Sequence, residues 1–286
     1  MNYRVIARLD IKGPNLVKGI HLEGLRVLGN PEDYAKYYYE NGIDELIYQD
    51  VVASLFERNS LKEIISRTAS ATFIPLTVGG GLRTVDDVRY ILRAGADKVS
   101  LNTAAIRNPQ LIRDASLEFG SSTIVVAIEA IKQQDGRYFA YIDNGREETG
   151  VEVLSWAKKV EELGAGEILL TSVDRDGTGE GYDLDLIKLV SSQVNIPVIA
   201  HGGVGKVTDL TKAIDAGADA LAMASILHYD VVENNRFSSK IASKEGNTAF
   251  LMTGARSNKV SSTTIKDIKA SLIGSGYACR IQNNDE

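Results

Sequence analysis

The chain alternates short apolar runs with longer amphipathic stretches almost from end to end. "VIARL", "ELIYQ", "IPLTV", "KVSL", "IVVAI", "EILL", "PVIA" and "ALAMA" recur at similar spacing. Runs this short and this rich in β-branched residues predict buried strands near 4–9, 45–49, 74–78, 98–101, 124–128, 167–170, 197–200 and 220–224. Between them, apolar positions at helical spacing predict helices near 31–41, 61–68, 85–94, 109–119, 151–163, 184–192, 208–216 and 265–273. Pro31 and Pro109 suit first helical turns, and Gly95, Gly164 and Gly217 suit helix ends. Strands alternating with helices imply a parallel sheet, and eight such units are the number that closes into a (β/α)8 TIM barrel. An open doubly wound sheet is the alternative.

An internal repeat favours closure. "IPLTVGGGLRTVDDVRYILRAGADKVSLNTA" (74–104) resembles "IPVIAHGGVGKVTDLTKAIDAGADALAMASI" (196–226). Gly80 and Gly202 stand 122 apart (202 − 80), as do Gly95 and Gly217 (217 − 95), and Asp97 and Asp219 share that offset. "GIDELIYQDV" (42–51) matches "GAGEILLTSV" (164–173), with Glu45 against Glu167. The chain therefore reads as two similar half-barrels of four units each.

Chemistry in such barrels sits at the carboxyl ends of the strands. Asp10 and Glu129 end strands one and five, which oppose each other in an eight-strand barrel. Opposed carboxylates divide acid and base duties when their surroundings separate their pKa values. "VGGGL" with "NTA" in one half, and "HGGVG" with "ASI" in the other, place Gly80, Gly81, Asn102 and Thr103 opposite Gly202, Gly203, Ala224 and Ser225. Glycines after a strand let backbone N–H groups approach an anion, and the next helix adds its positive end. The plainer reading is that they make tight turns; the duplication favours two phosphate cradles across one mouth. His201 either faces the anion or packs. Asp176, in the polar "DRDGTGEGYD" (174–183), either meets substrate hydroxyls or braces a turn. At the other ends of the strands stand Arg4, Glu45, Lys98 and Glu167, alternating charges where barrel interiors favour apolar layers.

Bulk properties narrow the rest. At 286 residues and 44% hydrophobic, the chain suits one barrel domain over 1–286, with a polar insertion at about 234–263 before the last helix. A net charge of −6 argues against nonspecific nucleic-acid binding. One Cys and three scattered His leave no basis for a disulfide or a metal site, and no cofactor is expected. No run is long enough to span a membrane, and "MNYRVIARLD" lacks a signal-peptide pattern, so a cytoplasmic protein is expected.

The motifs "TVGGG", "GADKVSLNTAA", "GAGEILLTS" and "DRDGT", in that order, resemble the cyclase subunit of imidazole glycerol phosphate synthase. The likeness covers roughly 1–230 and resumes at 264–281. It implies a half-duplicated barrel that receives ammonia from a separate glutaminase docked on the amino-terminal face. It implies a ribulosyl bis-phosphate substrate, split into imidazole glycerol phosphate and aminoimidazole carboxamide ribotide in histidine biosynthesis. By position it implies catalysis by Asp10, with Lys18 in a flexible first loop. Gly81, Asn102 and Thr103 match one phosphate site, and Asp176, Gly177, Gly203 and Ser225 the other region; Asp50, Gly80, Thr171, Gly202 and Ala224, at the same strand ends, join them as candidate substrate-binding residues on position alone. Arg4, Glu45, Lys98 and Glu167 fall at an ammonia gate. The chain departs from the family in three places. Glu129 stands where the family has a second catalytic Asp, Arg8 where it usually has a Cys, and most of 234–263 is additional. A carboxylate displaced by about 1.5 Å, one C–C bond, is enough to re-aim a site. Relatives that serve amidation of a nucleotide-linked or surface-polysaccharide sugar, or a noncatalytic barrel that only activates a glutaminase, are the alternatives.

Overall fold

A computed structural model describes residues 2–52, 62–234 and 259–281. Eight parallel strands form its centre: β1 (Arg4–Lys12), β4 (Glu45–Asp50), β5 (Leu76–Gly79), β6 (Lys98–Leu101), β7 (Ile124–Lys132), β10 (Glu167–Ser172), β11 (Val198–His201) and β12 (Ala220–Met223). They pair in that order, and β12 pairs with β1, so the sheet closes and the TIM-barrel expectation holds. Around them lie helices α1 (Pro31–Glu40), α2 (Lys62–Ala71), α3 (Val85–Ala94), α4 (Thr103–Arg107), α5 (Gln110–Phe119), α6 (Val153–Glu162), α7 (Leu184–Ser191), α8 (Thr208–Asp215), α9 (Ser225–Glu233) and α10 (Ile265–Gly274). No helix among the described residues is long and apolar enough to cross a membrane.

Side-chain alternation along the strands builds two separate cores. Val5, Ala7, Leu9 and Ile11 of β1 join the large cluster beneath the helices. Ile6 of the same strand joins Ile47, Val125, Ala127, Leu169, Ile199, Ala220 and Ala222 in a second cluster inside the barrel. The lumen is thus apolar at mid-height, with charge at both ends. This is why each strand reads as an almost unbroken apolar run.

The repeat has visible physical roles. Asp97 accepts a hydrogen bond from the N–H of Leu76 at 2.8 Å, and Asp219 does the same for Val198 at 2.8 Å. Each carboxylate satisfies the first free donor of the preceding barrel strand, which explains why both halves keep an Asp there. Asp44 serves β1 in the same way, accepting from the N–H of Val5 at 2.8 Å, and is held by Lys269 of α10 at 2.6 Å. The last helix therefore locks the start of the first strand.

Two β-hairpins were not expected. β2 (Asn15–Ile20) and β3 (Glu23–Gly29) follow β1, and β8 (Tyr138–Ile142) and β9 (Glu147–Glu152) follow β7. Their tips obey the repeat: His21 and Leu22, with φ of 54° and 61°, stand 122 residues (143 − 21, 144 − 22) before Asp143 and Asn144, with φ of 53° and 62°. The tips meet where the Asn144 amide donates to the carbonyl of Leu22 at 2.8 Å. Two further differences concern the helices. The helix directly after the eighth barrel strand is α9, not the expected 265–273 segment, which follows later as α10. The expected insertion at 234–263 falls mostly outside the described residues.

Gly80 and Gly202 lie at the turns where the cradles were expected, at φ +101° and +94°. A Cβ on Gly80 would lie 2.3 Å from the carbonyl oxygen of Asp50, and one on Gly202 would lie 2.6 Å from that of Ser172. Gly136 also has a positive φ, +86°, but open space around it. Gly136→Ala should therefore cost only the left-handed penalty of about 1 kcal/mol. Gly80→Ala adds a backbone collision and should cost several times more, on the order of 3 kcal/mol. Urea titration of both variants checks this; equal costs would mean that the approach to Asp50 imposes no constraint.

Candidate functional site

The carboxyl ends of the strands converge on a buried ionic network. Asp10, at 2% exposure, accepts a hydrogen bond from Arg8 Nε at 2.8 Å and lies 3.8 Å from Lys18 Nζ. Lys18, expected in the first loop, lies in a strand of the first hairpin. It sits in β2, 4% exposed, and donates to Asp176 Oδ2 at 2.7 Å. Arg8 reaches across the lumen, with Nη1 at 3.3 Å from Thr171 Oγ1 and 3.1 Å from His201 Nδ1. Its side chain points inward because residues 4, 6, 8 and 10 share one face of β1.

Glu129, on β7, stands opposite Asp10, with three barrel strands between them on either side. It is 6% exposed, and its Oε2 accepts from the N–H of Gly145 at the second hairpin tip, at 2.8 Å. Burial pushes its carboxyl up from the usual value near 4.5 to about 7; Arg8, the Gly145 N–H and Asn102 pull it back only in part, and Asp10 adds to the rise. The two carboxylates thus sit in unlike surroundings. Asp10 is ion-paired on two sides, whereas Glu129 has no cation in direct contact and relies on the Gly145 N–H and Asn102.

Beside Glu129 lies a cavity of about 230 Å³, lined by Asp50, Gly80, Gly81, Asn102, Thr103, Arg83 and Arg107 among others. All of the first-half cradle residues are therefore gathered in one place. Thr103 Oγ1 accepts from the N–H of Asp143 at 3.1 Å, so the second hairpin tip covers this cradle as well. The second-half residues Asp176, Gly177, Gly202, Gly203, Ala224 and Ser225 line a separate hollow with Lys18 and His201, of only about 10 Å³. It is narrow because the loop after β10 folds over it: the N–H of Gly181 donates to the carbonyl of Gly203 at 2.8 Å. Thr171 lies below, against Arg8 and His201 rather than in the hollow.

The remaining expected residues lie at the opposite end of the barrel. Arg4 Nη1 lies 2.8 Å from Glu45 and 3.1 Å from Glu167, and Lys98 Nζ lies 2.9 Å from Glu167 and 3.4 Å from Glu45. The four charges form a closed, alternating ring beneath the apolar layer. No group of three or more His, Cys, Asp or Glu among the described residues is arranged to hold a metal. Sequence reasoning missed the hairpin contributions of Asp143, Asn144 and Gly145. The signal was present: "DNG" (143–145) is a strong turn sequence.

A closed, half-duplicated barrel with opposed carboxylates at the mouth, two glycine-lined hollows beside them and a charged ring at the floor defines the class of this protein. The family of histidine biosynthesis proteins matches residues 4–233. Among similar proteins, one from Legionella pneumophila is 60% identical over 208 residues, covering 73% of this chain and 98% of that protein. Others from Alkaliphilus metalliredigens and Methanocaldococcus jannaschii are 48% and 50% identical, covering 80% and 79% of this chain and 91% and 90% of those proteins. All three are named imidazole glycerol phosphate synthase subunit HisF. The chain belongs to this family of histidine biosynthesis proteins.

The raised pKa of Glu129 has a stability consequence. Its folded value, about 7, exceeds its unfolded value near 4.5, so the native state binds more protons between these pH values. This contribution is fully present below about pH 4.5 and is lost as pH rises through 7. A shift of that size corresponds to roughly 3 kcal/mol. Glu129→Gln should therefore unfold at higher denaturant concentration than wild type at pH 8 and lose that advantage at pH 5. An advantage that does not change with pH would mean Glu129 is not held protonated by burial.

Proposed function

We propose that the chain is the cyclase subunit of imidazole glycerol phosphate synthase, acting with a glutaminase subunit in histidine biosynthesis. The substrate is a ribulosyl bis-phosphate aminoimidazole carboxamide compound. The products are imidazole glycerol phosphate and aminoimidazole carboxamide ribotide. One observation carries this reading: Asp10 and Glu129 stand on opposed strands between two duplicated glycine hollows, Gly80/Gly81 and Gly202/Gly203. A substrate with a phosphate at each end spans the mouth and lies across both carboxylates.

The residues divide the work. Ammonia addition and elimination each require a proton to move. Asp10, its charge balanced by Arg8 and Lys18, takes a proton; Glu129, titrating near neutrality, gives one. Asn102 and Thr103 hold one phosphate end, and Ser225 the other. Asp50 and Asp176 meet substrate hydroxyls at the mouth. The hairpin tips withdraw from Thr103 and Glu129 to admit substrate and close over it afterwards, excluding water.

The glutaminase docks on the amino-terminal face, over the ring of Arg4, Glu45, Lys98 and Glu167. Ammonia passes when one ion pair of that ring opens, and then crosses the apolar layer around Ile6 and Leu169.

A second reading, ammonia delivery for amidation of a nucleotide-linked sugar, is favoured by one observation. Arg8 fills the upper lumen and engages Asp10, which leaves the proposed base less free than an open site would.

Turnover of the bis-phosphate substrate with ammonium salt tests the first reading, and its absence at every ammonium concentration favours the second. In the reconstituted complex, Lys98→Glu should reduce glutamine-dependent turnover at least tenfold while sparing ammonium-dependent turnover. Equal loss of both would make the ring a structural floor rather than a gate.

A further inference from the structure

We infer that Arg8 fixes His201 as the neutral tautomer with its proton on Nε2, and that His201 Nε2–H then donates to the innermost phosphate oxygen in the second hollow. His201 is the ligating residue, and Arg8 positions it. The inference rests on the bis-phosphate reading above and deepens it.

The argument begins with donor counting. A guanidinium has five N–H donors and no acceptor. Arg8 Nη1 lies 3.1 Å from His201 Nδ1, so that nitrogen must present its lone pair. A proton on Nδ1 would set one N–H against another. Thr171 Oγ1, also 3.1 Å from Nδ1, accommodates this, because its hydroxyl accepts from Arg8 and can donate to the ring. Protonation of the whole ring is opposed as well: burial, then the charges of Arg8 and Lys18, hold its pKa well below the usual value.

The proton therefore sits on Nε2, which points toward Asp176. The distance to Asp176 Oδ1 is 3.9 Å, too long for a hydrogen bond. That carboxylate is already engaged by Lys18 at 2.7 Å, so its charge does not repel an incoming anion as a free carboxylate would. The nearby hydroxyl of Ser225 is buried without a partner. Two unengaged polar groups and the Lys18 ammonium thus face a hollow of about 10 Å³, roughly the room for one oxygen atom. One phosphate oxygen supplies the missing acceptor, while the rest of the phosphoryl group stays nearer the mouth.

The test uses ¹⁵N-histidine NMR on the full chain, which has only three His residues to assign. Wild type should show His201 neutral with the proton on Nε2 between pH 6 and 8. Added inorganic phosphate should move the His201 Nε2–H signal saturably. Arg8→Met should scramble the tautomer and raise the phosphate dissociation constant severalfold. His201→Leu should raise it about tenfold, the scale of one hydrogen bond to a charged group, and His201→Gln, which keeps an N–H donor, should recover most of the loss. His201 found with the proton on Nδ1 overturns the inference from wild type alone, whether or not the Arg8 variant folds. Phosphate that binds without moving His201 overturns it while leaving the cyclase reading intact. Phosphate that binds nowhere overturns both.

Discussion

Charge inside an eight-stranded barrel has to be neutralised there, because the lumen holds side chains rather than water. The rest of this structure follows from that constraint. At the floor, two bases and two acids alternate around a ring. At the top, Arg8, Lys18, Asp10 and Asp176 form a chain of ion pairs. Removing any one member would strand its partner, which costs more than the pair gains. The apolar layer between the two sets separates them and leaves the middle of the barrel dry. Glu129 is the exception. The N–H of Gly145, the amide of Asn102 and the more distant charge of Arg8 offset its burial only in part, so its pKa rises. The site's asymmetry is thus a consequence of which carboxylate received a cation.

Duplication gives the mouth its two-sided form. Each half contributes a carboxylate, a glycine hollow, a strand-start Asp and a hairpin. The two hairpins meet at their tips, so the cover over the mouth is itself twofold. The halves have nevertheless diverged in depth. The first hollow is open, and the second is pinched by the loop carrying Gly181.

Most of the fold was legible because parallel barrel strands are buried on both faces and give short, dense apolar runs. The 122-residue offset supplied closure, and strand-end positions supplied Asp10, Glu129 and both hollows. The misses have physical causes. Helix α9 buries Ser225 through Val231 on all sides, so it carries no amphipathic period to detect. The first hairpin turns at His21 and Leu22, neither of which is a glycine, so its left-handed turn left no sequence mark. Lys18 reads as a loop residue until β2 is known to exist. Arg8 shows in the sequence as a break in an apolar run and a departure from the family, but not in what it touches. Its partners Thr171 and His201 lie more than 160 residues away, on β10 and β11, and only barrel closure brings them together.

The central claim is that unlike surroundings make Asp10 the proton acceptor and Glu129 the proton donor. The most direct measurement is the pH dependence of kcat/KM for the bis-phosphate substrate in ammonia-dependent turnover, at fixed free ammonia. A donor must be protonated, so the account predicts a rate that falls as pH rises through about 7, with that limb displaced in Glu129→Asp. A rate that rises through the same range, or a falling limb that stays in place when Glu129 is replaced, would contradict it.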